Sequence, residues 1–572
     1  MTNVIILIIS LIVFFLGVLV LWFRYKKDEV EDQQAVKRLK KRIFIFTLII
    51  MALNAVNPSI NLLKPKEDLA TKEDIARVED LLNKLSEPSQ KKIESEIDKE
   101  FKTGSEKKKK RARELYQKGL IAYNNRDFNI SISDFEKAIN VFEIPSFYIY
   151  RGNSYLMTSQ FDKAIADYNK AIELKPDFAD AFNNRGAAWY QKDDLDKAIV
   201  DYNKAIQLNP NYADAFNNRG VAWYQKDDLD KALDDFDKAI QLNPNYAEAY
   251  YNRATPWIKK SDLNKALADY AKAIKLNPNF ITAYINRAEV WRQKGNLNKS
   301  LDDYNKAIQL NPNYAEAFNR RAVAWYLKGD FDKALADSTK AIKINPNLAE
   351  AFNSRGSAWR KKGDPNKALA DFDKAIQLDP NFTEAYNNRG GAWLQKGDFD
   401  KAIADYNKAI QLNPNYAEAF NNRGVAWYQK DDLDKALADS TKAIQLNPNY
   451  YTAYNSRGSA WFKKGDLNKS LDDYNKAIQL NPNYAEAYNS RGVAWYLKGD
   501  FDKALNDFDK AIHLNPNHAE AYYNRGNTHL KLRHDKEAAQ DFIHYLKIAD
   551  NKQERAETVR GEIKRLGYDP EY

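Results

Sequence analysis

The sequence predicts an all-α protein: a solenoid of antiparallel helix pairs, preceded by one or two transmembrane helices and a helical stalk. Three observations predict it. Ten of the eleven tryptophans, Trp189, Trp223, Trp257, Trp291, Trp325, Trp359, Trp393, Trp427, Trp461 and Trp495, each fall 34 residues after the last. Eleven prolines, Pro176 through Pro516, keep the same step. Val4–Phe23 is a run of twenty residues without a charge. Self-similarity at such a period marks a stacked array, in which no unit buries its apolar face alone. An uncharged apolar run of that length is enough to cross a bilayer core as a helix.

Residues 1–63 read as a membrane anchor. VIILIISLIVFFLGVLVLWF, at 4–23, is followed at once by Arg24, Lys26 and Lys27. A cleaved signal peptide fits poorly, because MTN carries no basic side chain and the apolar stretch is too long. A second apolar stretch, 43–63, opens with IFIFTLIIMAL and is weakened by Asn54, Asn57, Pro58 and Asn61. It either spans as the second leg of a hairpin or lies in the interface. Eight Lys/Arg against four Asp/Glu lie between the two stretches, which puts that loop in the cytoplasm. The repeats are then extracytoplasmic if both stretches span, and cytoplasmic if only the first does. Residues 64–111 read as a charged helical stalk and linker. Within TKEDIARVEDLLNKL, Thr71 and Asp74 are start signals, and Ile75, Val78, Leu81, Leu82 and Leu85 share a face. EKKKKRAR reads as a solvated linker, with contact to acidic lipid as the lesser alternative.

From 112 to 552 the chain divides into thirteen helix-pair repeats, the first (112–144) one residue short and twelve of 34. In 553–572 a closing helix carries Val559, Ile563 and Leu566, which cover the last apolar face as a solenoid requires. One unit shows the pattern. Phe420, Arg423, Gly424 and Trp427 share a face of the first helix. Asp432 is the expected N-cap of the second helix. Ala436, Leu437 and Ala443 point inward there, and Asn447-Pro448 ends it. Pro256 is expected to kink or shorten its first helix, and so to bend the array locally. Pro365 stands at a helix start, where proline is welcome.

A small residue recurs at Gly152, Gly186, Gly220, Ala254, Ala288, Ala322, Gly356, Gly390, Gly424, Gly458, Gly492 and Gly526. With the 34-residue period, the alanine slots and the closing proline, the pattern resembles the tetratricopeptide repeat (TPR) family. The resemblance implies a right-handed superhelix of helix pairs that binds proteins or peptides, and it implies no chemistry. Two slots depart from the family. Arginine stands where leucine is common, and tryptophan where tyrosine is frequent.

That arginine recurs twelve times from Arg151 to Arg525, and an aspartate follows each by sixteen residues, from Asp167 to Asp541. Lys118 and Asp134 share the offset. Asp431, in the turn, is the midpoint of Arg423 and Asp439, so the two stand at one height in an antiparallel hairpin. Structural ion pairs are therefore expected, Arg185 with Asp201 and Arg423 with Asp439 among them, since the guanidinium fork matches a carboxylate. The tryptophans, on the same side, read as core.

The other face of the first helix carries Glu418, Asn422, Val425 and Gln429. Its asparagine slot recurs at Asn184, Asn218, Asn252, Asn286, Asn388, Asn422 and Asn524, with Ser354, Ser456 and Ser490 elsewhere. A primary amide donates and accepts, so such a row suits the backbone of an extended peptide. The resemblance puts this face on the concave side. Beside it runs an acidic row: Asp180, Asp214, Glu248, Glu316, Glu350, Glu384, Glu418, Glu486 and Glu520. It favours a neutral or basic polypeptide, although some of these acids also suit a helix's first turn. A merely solvated polar face is the alternative. Tyr190, Tyr224, Tyr326, Tyr428 and Tyr496 either supply edge contacts or pack between hairpins.

There is no cysteine, which removes disulfides and thiolate chemistry. Of the +9 net charge, +6 lies in residues 1–111, so the array has no broad phosphate-binding stripe and nucleic acid is not an expected partner. His513, His518, His529, His534 and His544 follow no ligand spacing. No phosphate-binding loop, dinucleotide fingerprint, HExxH or GxSxG is present. No catalytic residue, metal or cofactor is therefore expected. The expected function is a membrane-anchored scaffold that binds proteins or extended peptides. The alternatives are a self-associating structural solenoid, hence a homo-oligomer, and an accessory subunit of a membrane enzyme or export complex.

Overall fold

The computed structural model describes residues 105–549 and 554–570. The apolar stretches 4–23 and 43–63, and the stalk as far as residue 104, lie outside the described residues. Among the described residues no helix is long and apolar enough to cross a membrane. These residues form helical hairpins, without a strand among them, in two compact units that divide after Ala188.

The first unit opens with the hairpin Glu106–Asn124 and Phe128–Val141, followed by Pro145–Met157 and Phe161–Leu174. The basic run is not a linker: it forms the opening turns of the first helix, six residues before the expected start. Lysine and arginine are good helix formers, and Ala112 and Leu115 bury the inner side. An aromatic core replaces the regular repeat pattern here. Tyr116 stacks on Phe147 at 5.1 Å and Phe135 on Tyr150 at 5.8 Å.

The second unit repeats one design. Helix Ala417–Gln429 is followed by helix Leu433–Leu446. Between them Asp431 adopts a left-handed φ of 65°, while Gly397 and Gly465 hold the equivalent turns at 79° and 85°. Only glycine takes this conformation without strain, with aspartate a tolerated substitute. Asp432 then caps the second helix, accepting the Lys435 backbone N–H at 3.2 Å. Beyond Leu446, Asn447 is extended and its side chain accepts the Asn449 N–H at 3.1 Å, closing the turn that Pro448 begins.

Helix contact is set by the small slot. A Cβ on Gly390 would stand 2.7 Å from the Tyr406 ring, and one on Gly424 3.1 Å from Ser440 Oγ. The tryptophans depart from the expected sealed core and are half-buried. Trp427 packs on Ala436, Leu437 and Ala460, but the indole is too large for the gap. Its outer side is covered by Lys435, whose Nζ lies 4.2 Å from the ring centre and 2.8 Å from Asp432. Pro256 does not shorten its helix. Ala247–Lys259 keeps thirteen residues, as does Ala213–Gln225. Pro256 occupies the buried alanine slot close to the helix end, so only one backbone donor is lost. Pro365 is the first residue of its helix.

The closing helix, Glu554–Arg565, presses Ala556, Val559 and Ile563 onto Tyr522, Phe542, Tyr545 and Leu546. Arg555 fastens it to Glu520 at 2.8 Å.

Candidate functional site: the first-helix face and the rung beneath it

Beneath the face runs the arginine rung. Arg423 Nε donates to Asp439 Oδ2 at 2.7 Å and Nη2 to Oδ1 at 2.6 Å. Its third nitrogen, Nη1, reaches Asn407 on the preceding second helix at 2.6 Å. One guanidinium thus joins its own hairpin to the one before, over the Phe420 ring at 5.4 Å. Arg389 does the same with Asp405 and Asp373. The offset of sixteen explains the bidentate pair. The reach to the neighbouring hairpin was not legible in it. Where Ala271 replaces the third acceptor, Arg287 holds only Asp303. The Arg423 and Asp439 side chains are 20% and 9% exposed, so the pair is more buried than a surface salt bridge. Burial raises the Asp405 carboxyl above its ordinary pKa, against the pull of Arg389. Arg185 donates to Asn169 at 2.6 Å, and Asp201 is buried. In the first hairpin Asp134 takes Lys137 at 3.0 Å.

The candidate asparagines are all half-buried, and their amides already have work. The Asn422 side chain donates to Asn387 at 3.0 Å, Asn252 to Asn217, Asn388 to Asn353 and Asn524 to Asn489 at the same distance. Asn286 donates to the Tyr251 hydroxyl at 2.9 Å, and Asn184 to Asn153 at 3.0 Å. Asn218 accepts from Asn217 at 3.4 Å. Six of these seven bonds therefore form a ladder between consecutive hairpins, and the Asn218 bond lies within its own helix. A primary amide has two N–H groups and two lone pairs, so one bond leaves capacity for a guest. Glu418 is exposed and accepts from Asn387 at 3.2 Å.

Some edge tyrosines are taken as well. Lys259 sits 4.7 Å above Tyr224 and Lys463 4.8 Å above Tyr428, while Tyr326 and Tyr496 meet Phe331 and Phe501. His529 and His534 approach to 3.4 Å. Among the described residues no group of three metal-binding side chains forms.

Sequence reasoning passed over four residues of this face: Arg292, Arg320, Arg360 and Gly391. Each breaks the pattern of its slot, and that departure was the available signal. Arg320 stands in the asparagine slot and pairs with Glu316 at 2.6 Å. Arg292 donates through Nε to Glu289 at 2.9 Å, and the same carboxylate accepts the Tyr304 hydroxyl at 3.3 Å.

Comparison with known proteins gives a consistent result. The chain matches the TPR repeat over 152–193, 188–227, 289–329, 392–431 and 458–499. It matches the tetratricopeptide repeat over 213–246, 247–280, 315–348, 349–382, 417–450, 485–518 and 508–541. Heat shock protein STI1 of Saccharomyces cerevisiae is 34% identical over 79 residues, which are 14% of this chain and 13% of that protein. The chain thus spans a small part of that relative's length. Among solved structures, the APC/C hetero-tetramer Cut9-Hcn1 is 16% identical with a TM-score of 0.48, covering 80% of this chain and 96% of the other. Yeast Tom70 is 18% identical with a TM-score of 0.36 over the same shares. A tetratricopeptide repeat protein from Parabacteroides merdae is 22% identical with a TM-score of 0.37, over 44% and 98%.

Proposed function

This chain belongs to the tetratricopeptide-repeat family, and on that premise we propose that it is a non-catalytic scaffold that binds an extended, neutral or basic polypeptide. The guest lies along the first-helix face, concave in the family's superhelix. Its backbone meets the amides of Asn252, Asn286, Asn388, Asn422 and Asn524, and its cationic side chains meet acids such as Glu418. One observation carries this reading: half-exposed amides, held in register by bonds to the neighbouring hairpin, recur beside exposed carboxylates. A held side chain has less freedom to lose on binding.

We place the scaffold at a membrane through 4–23, with 43–63 as a second span. Resistance to alkaline extraction, lost on deleting 1–63, tests the anchor, and protease protection in intact cells fixes the side. The groove is tested with a photo-crosslinking residue at exposed Gln429 on the first helix or at exposed Lys442 on the second. Adducts from position 429 alone support the reading, and adducts from 442 alone end it. Light scattering over a concentration series distinguishes partner capture from self-association.

A further inference from the structure

Ten hairpins fill three slots at the turn edge alike: tryptophan near the end of the first helix, aspartate or asparagine as the N-cap of the second, and lysine three residues on. The lysine ammonium lies 4.0–4.5 Å from the tryptophan ring centre in each. It also reaches the cap, as Lys435 does to Asp432 at 2.8 Å. Side chains from the three slots therefore meet at their tips. The last hairpin changes all three together, to His529, His534 and Glu537. A swapped ion pair, acid for lysine and base for aspartate, accounts for two of these changes. It does not call for an imidazole in place of the indole.

His529 is half-buried near the end of helix Ala519–Lys531, and exposed His534 stands just before helix Asp535–Ile548. The spacing of the histidines along the chain predicts no ligand set. The left-handed backbone at Arg533, with φ 59°, folds the two rings together. Their Nδ1 atoms are 3.4 Å apart and their ring centres 5.6 Å, so the nitrogens face each other. That spacing is long for a hydrogen bond. It matches two imidazole nitrogens on one tetrahedral zinc ion, which at about 2.0–2.1 Å from the metal stand about 3.3–3.4 Å from each other. Among the described residues no three metal-binding side chains converge as they stand, so exposed Glu537 must turn inward to join them. Its slot permits this, because the lysines there reach both neighbours. Glutamate is shorter than lysine, and histidine at the cap is longer than aspartate, so the reach is kept.

We propose that His529, His534 and Glu537 bind one divalent transition-metal ion, zinc by this geometry, at the turn of the last hairpin. Two imidazoles and a carboxylate leave the fourth tetrahedral position to water. The ion joins the end of one helix to the start of the next, and so locks the hairpin on which the closing helix packs. Burial holds His529 below its ordinary pKa of 6.5, with Arg525 and His534 acting the same way and Asp541 and Glu537 opposing. It is therefore neutral at pH 7, the form that ligates. Arg525 does not present a bare charge to the ion, since Asp541 and Asp509 each hold it at 2.6 Å. Asp535 and Glu537, in the first turn, offset the positive end of their helix. Lys531, Arg533 and Lys536 are exposed, where salt and water screen them. The site stands at the turn edge and is independent of the groove reading above.

The test uses the full-length protein. Zn2+ is titrated in competition with a chromophoric chelator, with Mg2+ as the control, since it prefers oxygen ligands in octahedral geometry. Cu2+ then reports the donors, because imidazole nitrogens split its electron paramagnetic resonance. Saturable binding of one ion per chain is expected. His529→Trp and His534→Asp should each abolish it. Both restore residues of the other hairpins, and an unchanged circular dichroism spectrum shows that they fold. Glu537→Gln should weaken binding at least about tenfold. His513→Gln combined with His518→Tyr and His544→Lys, again residues found at those slots, should leave it unchanged. No saturable binding, binding that survives His529→Trp or His534→Asp, wild-type affinity in Glu537→Gln, or binding lost with the other three histidines overturns the proposal.

Discussion

Around Tyr304 and around Tyr406 the same slots are filled in opposite ways. Near Tyr304 the Glu289 carboxylate is held by Arg292 and the tyrosine, and Arg320 is tied to Glu316. Near Tyr406 glycine replaces the carboxylate and Leu394 replaces the arginine of that helix, and the space is filled by Arg360 from the preceding hairpin. One region is closed on itself and the other keeps two donors without an acceptor. Both share the rung below, Arg287 with Asp303 and Arg389 with Asp405. The difference teaches that shared slots set the stability of such an array, while its binding character resides in the few slots that vary.

The largest expected effect falls on what the regions share. Asp303→Ala or Asp405→Ala leaves a mostly buried guanidinium without its counter-charge and should cost about 3–5 kcal/mol in either region. Urea unfolding checks it, and a loss under about 1 kcal/mol would make the rung an ordinary surface pair. Next, Glu289→Ala should cost about 1–3 kcal/mol by stranding Arg292 and Tyr304, whereas Arg360→Met, which removes an unpaired donor, should be neutral or stabilising in the same assay.

The pH dependence separates groups of opposite sign. Burial acts to raise the Glu289 carboxyl, but the bonds from Arg292 and Tyr304 prevail and hold it below its ordinary 4.5. Its stabilisation is therefore present above pH 4.5 and lost as pH falls through the lower folded value. Asp405 is raised above 3.8 by burial, so its contribution is present below 3.8 and lost as pH rises through the folded value. Stability measured from pH 6 to 3 should fall less steeply in Glu289→Gln than in wild type, and Asp405→Asn should not flatten that limb. The smallest effect is expected at Gly391→Ala. Helix propensity favours alanine by about 1 kcal/mol, and the collision is with the mobile tip of Arg360. A net gain of about 0.5–1 kcal/mol in thermal unfolding is expected.

Much of the hairpin is a matter of spacing. Phe420, Arg423, Gly424 and Trp427 share a face at any tertiary arrangement, and Asp432 followed by an apolar run starts a helix. Spacing did not show that Trp427 stays half-buried, because ring size against gap width decides that. At Pro256 it left a kink or a shortening open, and the helix keeps its length because the buried alanine slot near its end accepts the ring. The basic run before 112 was read as linker because its charges hid Ala112 and Leu115, which the first hairpin buries.

By itself the sequence determined the period, the helix pairs, their turns and caps, and the equal height of Arg423 and Asp439, since all of these follow from 3.6 residues per turn and distance from a turn. Only the tertiary structure decided that Arg423 also reaches Asn407, that Asn422 bonds to Asn387 thirty-five residues away, and that Arg360 fills the space over Gly391. Those contacts join different hairpins. Their partners depend on how one hairpin packs against the next, and no offset along a single chain fixes that angle.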